Sequence, residues 1–446
     1  MSNRLFGLLL VVAGVLSYLL FSFEPPTNEL WRAQAPGDIT TPPAQVGETF
    51  CYLIRQQQLG AIDATGKLSG PVPLPSQARH PLVGLASGVL VADRSGGYTC
   101  YSADLKERWK RATLTPSDLS PLPIPGNLVV VSGAHEVLFA VDADTGEQVW
   151  ESHFDGRVVH LVSSETIGVV YGYDDLKKPS WKLCAIDPAD GSLLWTYRDP
   201  VEDAPPFVYG GYFIFCDATG RPVAVDQETG EIVYRHESEG YKIATVTGHS
   251  LLILANGGTR LDCSDLPTGK SWSVLLSSPF LAAHAVGDAI LFADGRGIKC
   301  LEATTGFVRW QRELGKTFDA FVHRNGLGIT YKDNFLARQT QVTLFTADAN
   351  RTLWSALDKS RFYKPMALSN ADLIVCRSGN IRLLPLPATT PGTSAVASAS
   401  IEVPIDTTFW QILPGQRPAT PAVEPPTAGK PASESAPPTA SAAGWE

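Results

Sequence analysis

The sequence predicts an all-β fold: a single β-propeller, expected to have eight blades, with an N-terminal transmembrane helix and a disordered C-terminal tail. Three observations lead to this fold class. A pattern of about forty residues recurs along most of the chain, which has 446 residues. The 39 glycines and 34 prolines suit many short strands joined by tight turns. Charged residues make up only 18% of the chain, which argues against long solvated helices.

Residues 1–23 form a separate element at the N-terminus. No charged residue lies between residues 5 and 23, and this length is enough for a helix to cross a hydrocarbon core of about 30 Å. Because Arg4 precedes the stretch, the positive-inside rule places the N-terminus in the cytoplasm and the rest of the chain in the periplasm. The expected localisation is therefore a propeller anchored to the inner membrane on its periplasmic side. A cleaved signal peptide is the alternative, although no small-x-small cleavage site follows the stretch.

Composition divides the remainder of the chain into three parts. Residues 24–47 are rich in proline, threonine and alanine, and they are expected to form a flexible linker. Residues 48–388 contain the repeat and are expected to form the propeller. Residues 389–446 form a Pro/Ala/Ser/Thr-rich tail that is expected to be mostly disordered. Within this tail, residues 401–413 have enough apolar side chains to dock as an edge strand.

The best copies of the repeat occupy residues 138–150, 183–195, 222–234, 298–310 and 342–354. In each copy an apolar strand ends at an acidic residue or threonine that can hold a turn, and a glycine or asparagine then supplies a positive φ. A second strand runs to an aromatic ring, which is expected to pack between neighbouring sheets. Weaker copies raise the number of units to eight, and a strand pair at residues 373–386 is expected to close the ring; seven and nine blades are the alternatives. The structural positions of the repeat are Gly146, Trp150, Gly191, Trp195, Gly230, Tyr234, Gly306, Trp310 and Trp354.

The shared motif, Ala-x-Asp-x-x-Thr-Gly-x-x-x-Trp, resembles the pyrroloquinoline-quinone-type (PQQ-type) propeller repeat. The plan of the chain is similar to that of the propeller lipoprotein subunit of the outer-membrane β-barrel assembly machinery. This resemblance implies a non-enzymatic scaffold whose partners are cell-envelope proteins. The chain differs from that subunit because it has no cysteine at its N-terminus that could carry a lipid.

The chemistry of known enzyme classes is missing from the sequence. No two cysteines are adjacent and no Cys-x-x-Cys-His motif occurs, which disfavours a quinone-dependent dehydrogenase. The histidines lack metal-ligand spacing, and no Gly-x-Ser-x-Gly motif is present. We therefore predict no catalytic residue, no cofactor and no metal site. The net charge of −9 also argues against a nucleic-acid partner.

The seven cysteines mostly replace small residues at apolar strand positions, as Cys100, Cys263 and Cys300 do for alanines of other copies. Free buried thiols are therefore predicted. A disulfide between Cys51 and a cysteine of a late blade is the alternative.

The two rims of the predicted ring differ in charge. The acidic rim carries the hairpin turns of the repeat, where acidic side chains such as Asp142, Asp144 and Asp226 outnumber basic ones. The mixed rim carries the loops that precede each hairpin, where acidic and basic side chains are nearly balanced. We predict that partners bind the mixed rim, because mixed charge can be complemented without strong self-repulsion. The alternative is that the acids of the acidic rim only satisfy turns.

The longest loops of the mixed rim, at residues 172–181 and 331–341, combine aromatic and charged side chains, as protein-binding hot spots do. Ordinary variation of loop length is the alternative explanation, and a small molecule or glycan in the central funnel is the alternative function. The candidate partner-binding residues are Tyr173, Asp174, Asp175, Lys177, Lys178, Trp181, Tyr331, Lys332, Asn334, Phe335 and Arg338.

Overall fold

The structure, a computed structural model, describes residues 29–112, 119–133, 136–173, 180–266, 270–324, 326–332, 339–346, 351–368 and 370–386. Within these residues the chain forms nine four-stranded antiparallel sheets. The first strands of most successive sheets contact one another, and the sheets are the blades of one propeller. The all-β propeller is confirmed, and the expected number of eight blades is wrong by one.

The first strand of the chain, β1 (Trp31–Gln34), belongs to the last blade. Blades 1 to 4 follow along the chain, each from its inner to its outer strand. They consist of β2 (Ala44–Val46), β3 (Thr49–Ile54), β4 (Gln58–Asp63) and β5 (Leu68–Pro73); β6 (Val83–Gly84), β7 (Val89–Ala92), β8 (Gly97–Tyr101) and β9 (Glu107–Ala112); β10 (Leu122–Ile124), β11 (Leu128–Ser132), β12 (Val137–Asp142) and β13 (Gln148–His153); and β14 (Arg157–Ser163), β15 (Ile167–Tyr173), β16 (Ser180–Ile186) and β17 (Leu193–Thr196).

Blades 5 to 8 continue in the same order. They consist of β18 (Phe207–Tyr209), β19 (Tyr212–Cys216), β20 (Pro222–Asp226) and β21 (Ile232–Arg235); β22 (Lys242–Thr247), β23 (Ser250–Ala255), β24 (Arg260–Asp265) and β25 (Ser271–Leu275); β26 (Phe280–Val286), β27 (Ala289–Asp294), β28 (Gly297–Glu302) and β29 (Val308–Glu313); and β30 (Lys316–His323), β31 (Gly326–Lys332), β32 (Thr340–Thr346) and β33 (Thr352–Asp358). A short 3₁₀ helix (Asn256–Gly258) joins β23 to β24.

Blade 9 contains β34 (Met366–Ala367), β35 (Ala371–Val375) and β36 (Asn380–Pro385), and β1 completes it as the outer strand. Trp31 pairs with Leu383 and Gln34 with Asn380 in an antiparallel register. The predicted linker, residues 24–47, thus contains β1 and β2. These short strands pair with β36 in blade 9 and with β3 in blade 1. The strand pair that was expected to close the ring thus belongs to a ninth blade, which the N-terminal β1 completes.

The hairpins of the repeat have the predicted bulged geometry. The glycine of each hairpin described here has a positive φ, for example 73° at Gly146 and 71° at Gly191. The register shifts by one residue next to the turn, as between Ala140 and Val141. A β-bulge after a positive-φ residue lets the two strands keep their right-handed twist.

Each hairpin glycine that the structure describes is the contact point for an indole of the preceding blade. A Cβ atom on Gly146 would lie 2.5 Å from Trp109 Cε3, so only glycine leaves room for the ring. The Trp109 indole also donates a hydrogen bond to the Ala143 carbonyl at 3.0 Å. The same arrangement, a ring over the next glycine and an indole hydrogen bond to the next turn, recurs in the pairs Trp31–Gly66, Trp150–Gly191, Trp195–Gly230 and Trp272–Gly306. The predicted packing of repeat aromatics between sheets is confirmed.

Two rims result from this topology. The turn between the first two strands and the hairpin between the last two lie at the same end of a blade, since Ala143 N donates to Asn127 O at 2.9 Å and Gln227 N to Gly211 O at 3.0 Å. This end is the acidic rim. The loops between the second and third strands, together with the linkers between blades, form the mixed rim.

All seven cysteines are free and buried, Cys51 included. They lie in the apolar layers between blades, as the prediction of buried thiols requires. The residues that the structure describes contain no helix long and apolar enough to cross a membrane. The predicted anchor at residues 1–23 and the predicted tail at residues 389–446 lie outside the described residues.

Candidate partner-binding site on the mixed rim

The predicted partner-binding residues are divided among three environments. Tyr173 ends β15 on the mixed rim and is 59% exposed. Lys332 ends β31 and is partly exposed. Trp181 and Tyr331 are 6% and 4% exposed and pack in the layers between blades. The others lie outside the described residues: Asp174, Asp175, Lys177, Lys178, Asn334, Phe335 and Arg338.

Trp181 and Tyr331 are core residues because the strands extend into stretches that the sequence assigned to loops. In blade 4, Trp181 pairs with Gly172, and the register continues to Ser180 opposite Tyr173. In blade 8, Tyr331 pairs with Gln341. Side chains alternate between the two faces of a strand, so each ring points into the neighbouring blade.

The mixed rim contains a cavity of about 190 Å³ next to the Tyr173 end of blade 4. Its apolar wall combines residues of three blades, with Leu183 from blade 4, Phe215 from blade 5 and Ile243 from blade 6. Its mouth is formed by the linker between blades 4 and 5, from Val201 to Phe207.

Backbone hydrogen bonds hold this linker against the ends of two blades. Val201 N donates to Trp181 O at 3.0 Å on blade 4, and Glu202 N donates to Cys216 O at 3.1 Å on blade 5. Trp181 therefore contributes to the site by positioning the linker, although its ring is buried. The prolines that follow the linker acids, at positions 205 and 206, restrict the backbone of the mouth.

The mouth of the cavity carries two neighbouring carboxylates. Burial raises the pKa of the Glu202 carboxyl, an effect that Lys242 opposes and Asp217 reinforces. Asp203 is exposed, and its Oδ1 atom lies 2.8 Å from His160 Nε2. Lys242, which also lines the cavity, is exposed.

An apolar wall with acids at its mouth suits an apolar side chain that is followed by a basic one. The cavity is smaller than the roughly 300–1,000 Å³ of typical small-molecule sites. Among the described residues, no three His, Cys, Asp or Glu side chains are grouped as metal ligands would be. The geometry fits a side chain of a protein partner better than a complete cofactor.

The acids of the acidic rim largely serve the turns. Asp142 Oδ1 accepts hydrogen bonds from the backbone nitrogens of Asp144 at 2.9 Å and Thr145 at 2.8 Å, and Asp226 repeats this in blade 5. Asp144 in turn lies 3.3 Å from Arg108 of the preceding blade. These hydrogen bonds agree with the alternative interpretation, in which the carboxylates satisfy turns.

Sequence reasoning missed the linker residues of the cavity because it considered only the loops inside each repeat. Glu202, Asp203 and Phe207 belong to the stretch between two repeats, where no motif drew attention to them. The signal that was present is the run of acids and prolines between the repeat aromatics Trp195 and Tyr234.

Two curated proteins are similar to this chain over much of its length. One is the "Outer membrane protein assembly factor BamB" of Yersinia pestis, which is 22% identical over 295 residues, 61% of this chain and 64% of that protein. The chain thus spans less than two thirds of the Yersinia protein's length. The other has the same name in Burkholderia pseudomallei, and it is 24% identical over 278 residues, 56% of this chain and 70% of that protein.

Among solved structures, that of BamB from Moraxella catarrhalis is similar to this chain, with 18% sequence identity and a TM-score of 0.47. The match covers 68% of this chain and 95% of that chain. A quinohemoprotein alcohol dehydrogenase from Comamonas testosteroni has a TM-score of 0.46 at 13% identity, and it covers 82% of this chain and 77% of that chain.

The model of the family described as "Outer membrane protein assembly factor BamB" matches residues 19–271, which is more than half of the chain. With its PQQ-type repeats, the chain belongs to this family.

Proposed function

We propose that the protein is a non-enzymatic scaffold of the cell envelope, anchored in the inner membrane by residues 1–23, whose propeller binds envelope proteins through the mixed rim. The observation that carries the proposal is the cavity at Glu202, which is too small for a typical cofactor and is open to the rim surface. The family supports the envelope setting, since its name and those of two relatives refer to outer-membrane protein assembly.

The cavity defines what the partner must present. An apolar side chain would bury itself against Leu183, Phe215 and Ile243, and burial of such a side chain contributes about 1.5–3 kcal/mol. A neighbouring arginine or lysine would then neutralise Glu202 and Asp203. A half-buried carboxylate gains more from such a pair than an exposed one does.

Photo-cross-linking in native membranes tests this proposal. A photoreactive amino acid is placed at Tyr173 or Pro205 on the mixed rim, and at Val149 or Phe307 as exposed controls near the acidic rim. We expect adducts with another envelope protein from the mixed-rim positions only. Adducts from the control positions alone would contradict the assignment of the rims.

A charge reversal ties such adducts to the cavity. Glu202→Lys is expected to abolish the adduct formed from Pro205, because it places a cation where the partner's cation would lie. Glu147→Lys makes the same charge change on an exposed side chain of the acidic rim and is expected to leave the adduct intact. If neither mixed-rim position forms any protein adduct, a ligand-binding or sensory propeller becomes the better description.

A further inference from the structure

The mixed rim of blades 7 and 8 carries basic side chains that lack acidic partners among the described residues. This basic patch consists of Arg296, Arg312, Lys316 and Lys332. Leu314 N donates a hydrogen bond to Arg296 O at 2.8 Å, so the turn that carries Arg296 lies directly beside the linker into blade 8. None of the four side chains forms an ion pair with another described residue.

Two lysines of the basic patch face each other across a strand pair. Lys316 and Lys332 are register partners of β30 and β31, and like charges at directly opposed positions destabilise a sheet. Both ammonium groups lie over the Phe318 ring, at 5.6 Å and 5.8 Å from its centroid. The ring offsets part of the repulsion, but no anion of the described chain neutralises it.

Two cations of the mixed rim in blades 5 and 6 are arranged differently. Arg221 pairs with Glu239, and Arg260 Nη2 lies 2.7 Å from Asp262 Oδ2. Arg296, Arg312, Lys316 and Lys332 therefore differ from Arg221 and Arg260, because they have no acidic partner within the described chain.

The basic patch also contains a small cleft. It has a volume of about 90 Å³, and its lining combines the basic Arg296, Lys299 and Arg312 with the acidic Asp294 and Glu313. Lys299 Nζ is already paired with the buried Asp294 at 3.3 Å, and the Arg312 guanidinium lies over the Phe345 ring, 5.1 Å from its centroid. Guanidinium groups bind carboxylates through two parallel hydrogen bonds.

We propose that the basic patch binds an acidic segment of a protein partner, with one carboxylate near Arg296 and Arg312 and a second near Lys316 and Lys332. A protein segment is favoured over anionic lipid because both described ends of the chain leave the ring at the acidic rim. With the anchor of the proposed function, the basic patch then faces away from the bilayer. The proposal rests on the proposed function in this respect, but not on the cavity at Glu202.

Binding of a labelled peptide to the full-length chain in neutral detergent tests the proposal. The probe is a fluorescent peptide of alternating glutamate and serine, and its glutamine counterpart is the uncharged control. We expect Lys316→Gln/Lys332→Gln and Arg296→Gln/Arg312→Gln to weaken binding at least about tenfold. The control variant Arg221→Gln/Arg260→Gln also removes two positive charges, but these charges already have acidic partners. It is expected to change binding less than about twofold.

Three results would overturn the proposal. Equal losses in the patch and control variants would show a response to net charge alone. Binding of phosphatidylglycerol vesicles, but not of the glutamate peptide, would assign the patch to lipid. A lower Tm of Lys316→Gln/Lys332→Gln would give these lysines a structural role, whereas we expect an unchanged or higher Tm because like charges are removed. Peptide binding without cross-links at Pro205 would reject the proposed cavity site and leave the basic patch standing.

Discussion

At the scale of single residues, neighbouring blades are joined where an indole of one blade lies over a glycine of the next. At Gly230, with a φ of 71°, a Cβ atom would lie 2.6 Å from Trp195 Cδ2. The glycine thus meets two requirements, a left-handed backbone and room for a ring. The ring and the hairpin turn fix the distance between two blades at their outer edge.

Gly230→Ala separates these two requirements when it is compared with Gly210→Ala. Gly210 also has a positive φ, 54°, but a Cβ atom added there would meet no described residue within 4 Å beyond its own chain neighbours. We expect Gly210→Ala to cost about 1 kcal/mol of unfolding free energy from backbone strain alone. Gly230→Ala is expected to cost about 1–3 kcal/mol more, because the indole must move. Urea denaturation measures both, and equal losses would show that the ring contact is unimportant.

The thiols provide a second test at this scale. Burial raises the pKa of Cys51 and Cys184 to about 12, and burial together with the nearby Glu202 does the same for Cys216. Since the thiolate is the reactive form, iodoacetamide at pH 8 is expected to modify none of them in the folded protein. An exposed cysteine introduced as Thr65→Cys is the control. Native thiols that react as fast as this control would contradict their burial, while all seven should react in urea.

At the scale of elements, β1 is attached to the ring by more than its backbone pairing with β36. Arg382 of β36 is 2% exposed, and it lies between Glu29, with Nη1–Oε1 at 3.3 Å, and Asp358, with Nη2–Oδ2 at 3.4 Å. Asp358 ends β33 of blade 8. One buried guanidinium therefore connects the outer strand of blade 9 with the preceding blade.

Arg382→Met should destabilise the closure of the ring. The change leaves Asp358 buried without its cation, and breaking a buried pair costs about 3–5 kcal/mol. Arg309→Met is the matched control, because Arg309 pairs with the exposed Asp288 at 2.6 Å and such surface pairs contribute at most about 1 kcal/mol. The unfolding free energy of each variant is measured in urea. A loss for Arg382→Met no larger than for Arg309→Met would contradict the role of this contact.

Acid should weaken the same junction. Burial acts to raise the pKa of Asp358 and of Asp372, but hydrogen bonds outweigh it, so both pKa values are lowered. These bonds come from Ser360 to Asp358, and from His323 and Arg324 to Asp372. A lowered pKa in the folded state stabilises the protein above the ordinary value of about 4, and this stabilisation is lost as the pH falls through the lowered value.

The unfolding free energy is therefore expected to fall more steeply below about pH 4 in the wild type than in Asp372→Asn. The variant is less stable at neutral pH, because Arg324 then lacks its partner. Urea unfolding at a series of pH values measures the slope. Parallel slopes for both proteins would show that Asp372 does not contribute to acid sensitivity.

At the scale of the whole molecule, both described ends of the chain lie on the acidic rim. Trp31, near the start of β1, packs against the hairpin of Gly66, while Gln34 Nε2 donates to Ser378 O at 3.0 Å on the mixed rim. At the other end, Leu386 N donates to Asn370 O at 3.0 Å beside the inner turn of blade 9. With the proposed anchor ahead of residue 29, the acidic rim is expected to face the membrane.

Fluorescence quenching measures this orientation in reconstituted bilayers. A fluorophore is attached at Lys67→Cys on the acidic rim or at Arg377→Cys on the mixed rim, and both positions are exposed and close to β1. Quenchers on lipid headgroups are expected to act more strongly on the label at position 67. Stronger quenching at position 377 would reverse the orientation and place the basic patch near lipid.

Local sequence patterns predicted the strands, the bulged hairpins and the packing of aromatic rings, because each depends on residues within one repeat. The number of blades was beyond this reasoning, since β1 matches no repeat and pairs with a strand at the opposite end of the chain. The choice of the mixed rim followed from charge and loop length and stays a prediction. The cavity at Glu202 required three blades to be brought together, and the basic patch required knowing which cations already have partners.

The pairing of β1 with β36 has a consequence for biosynthesis. The first strand of the ring to be made must wait for the last, because Gln34 contacts Ser378, 344 positions further along the chain. Until then the nascent blades form an open arc with exposed strand edges, which promote aggregation and are bound by chaperones. In a chain that ends before β36, β1 has no partner strand and the last blade stays incomplete. Such truncated products are therefore expected to be more sensitive to proteolysis than the complete ring.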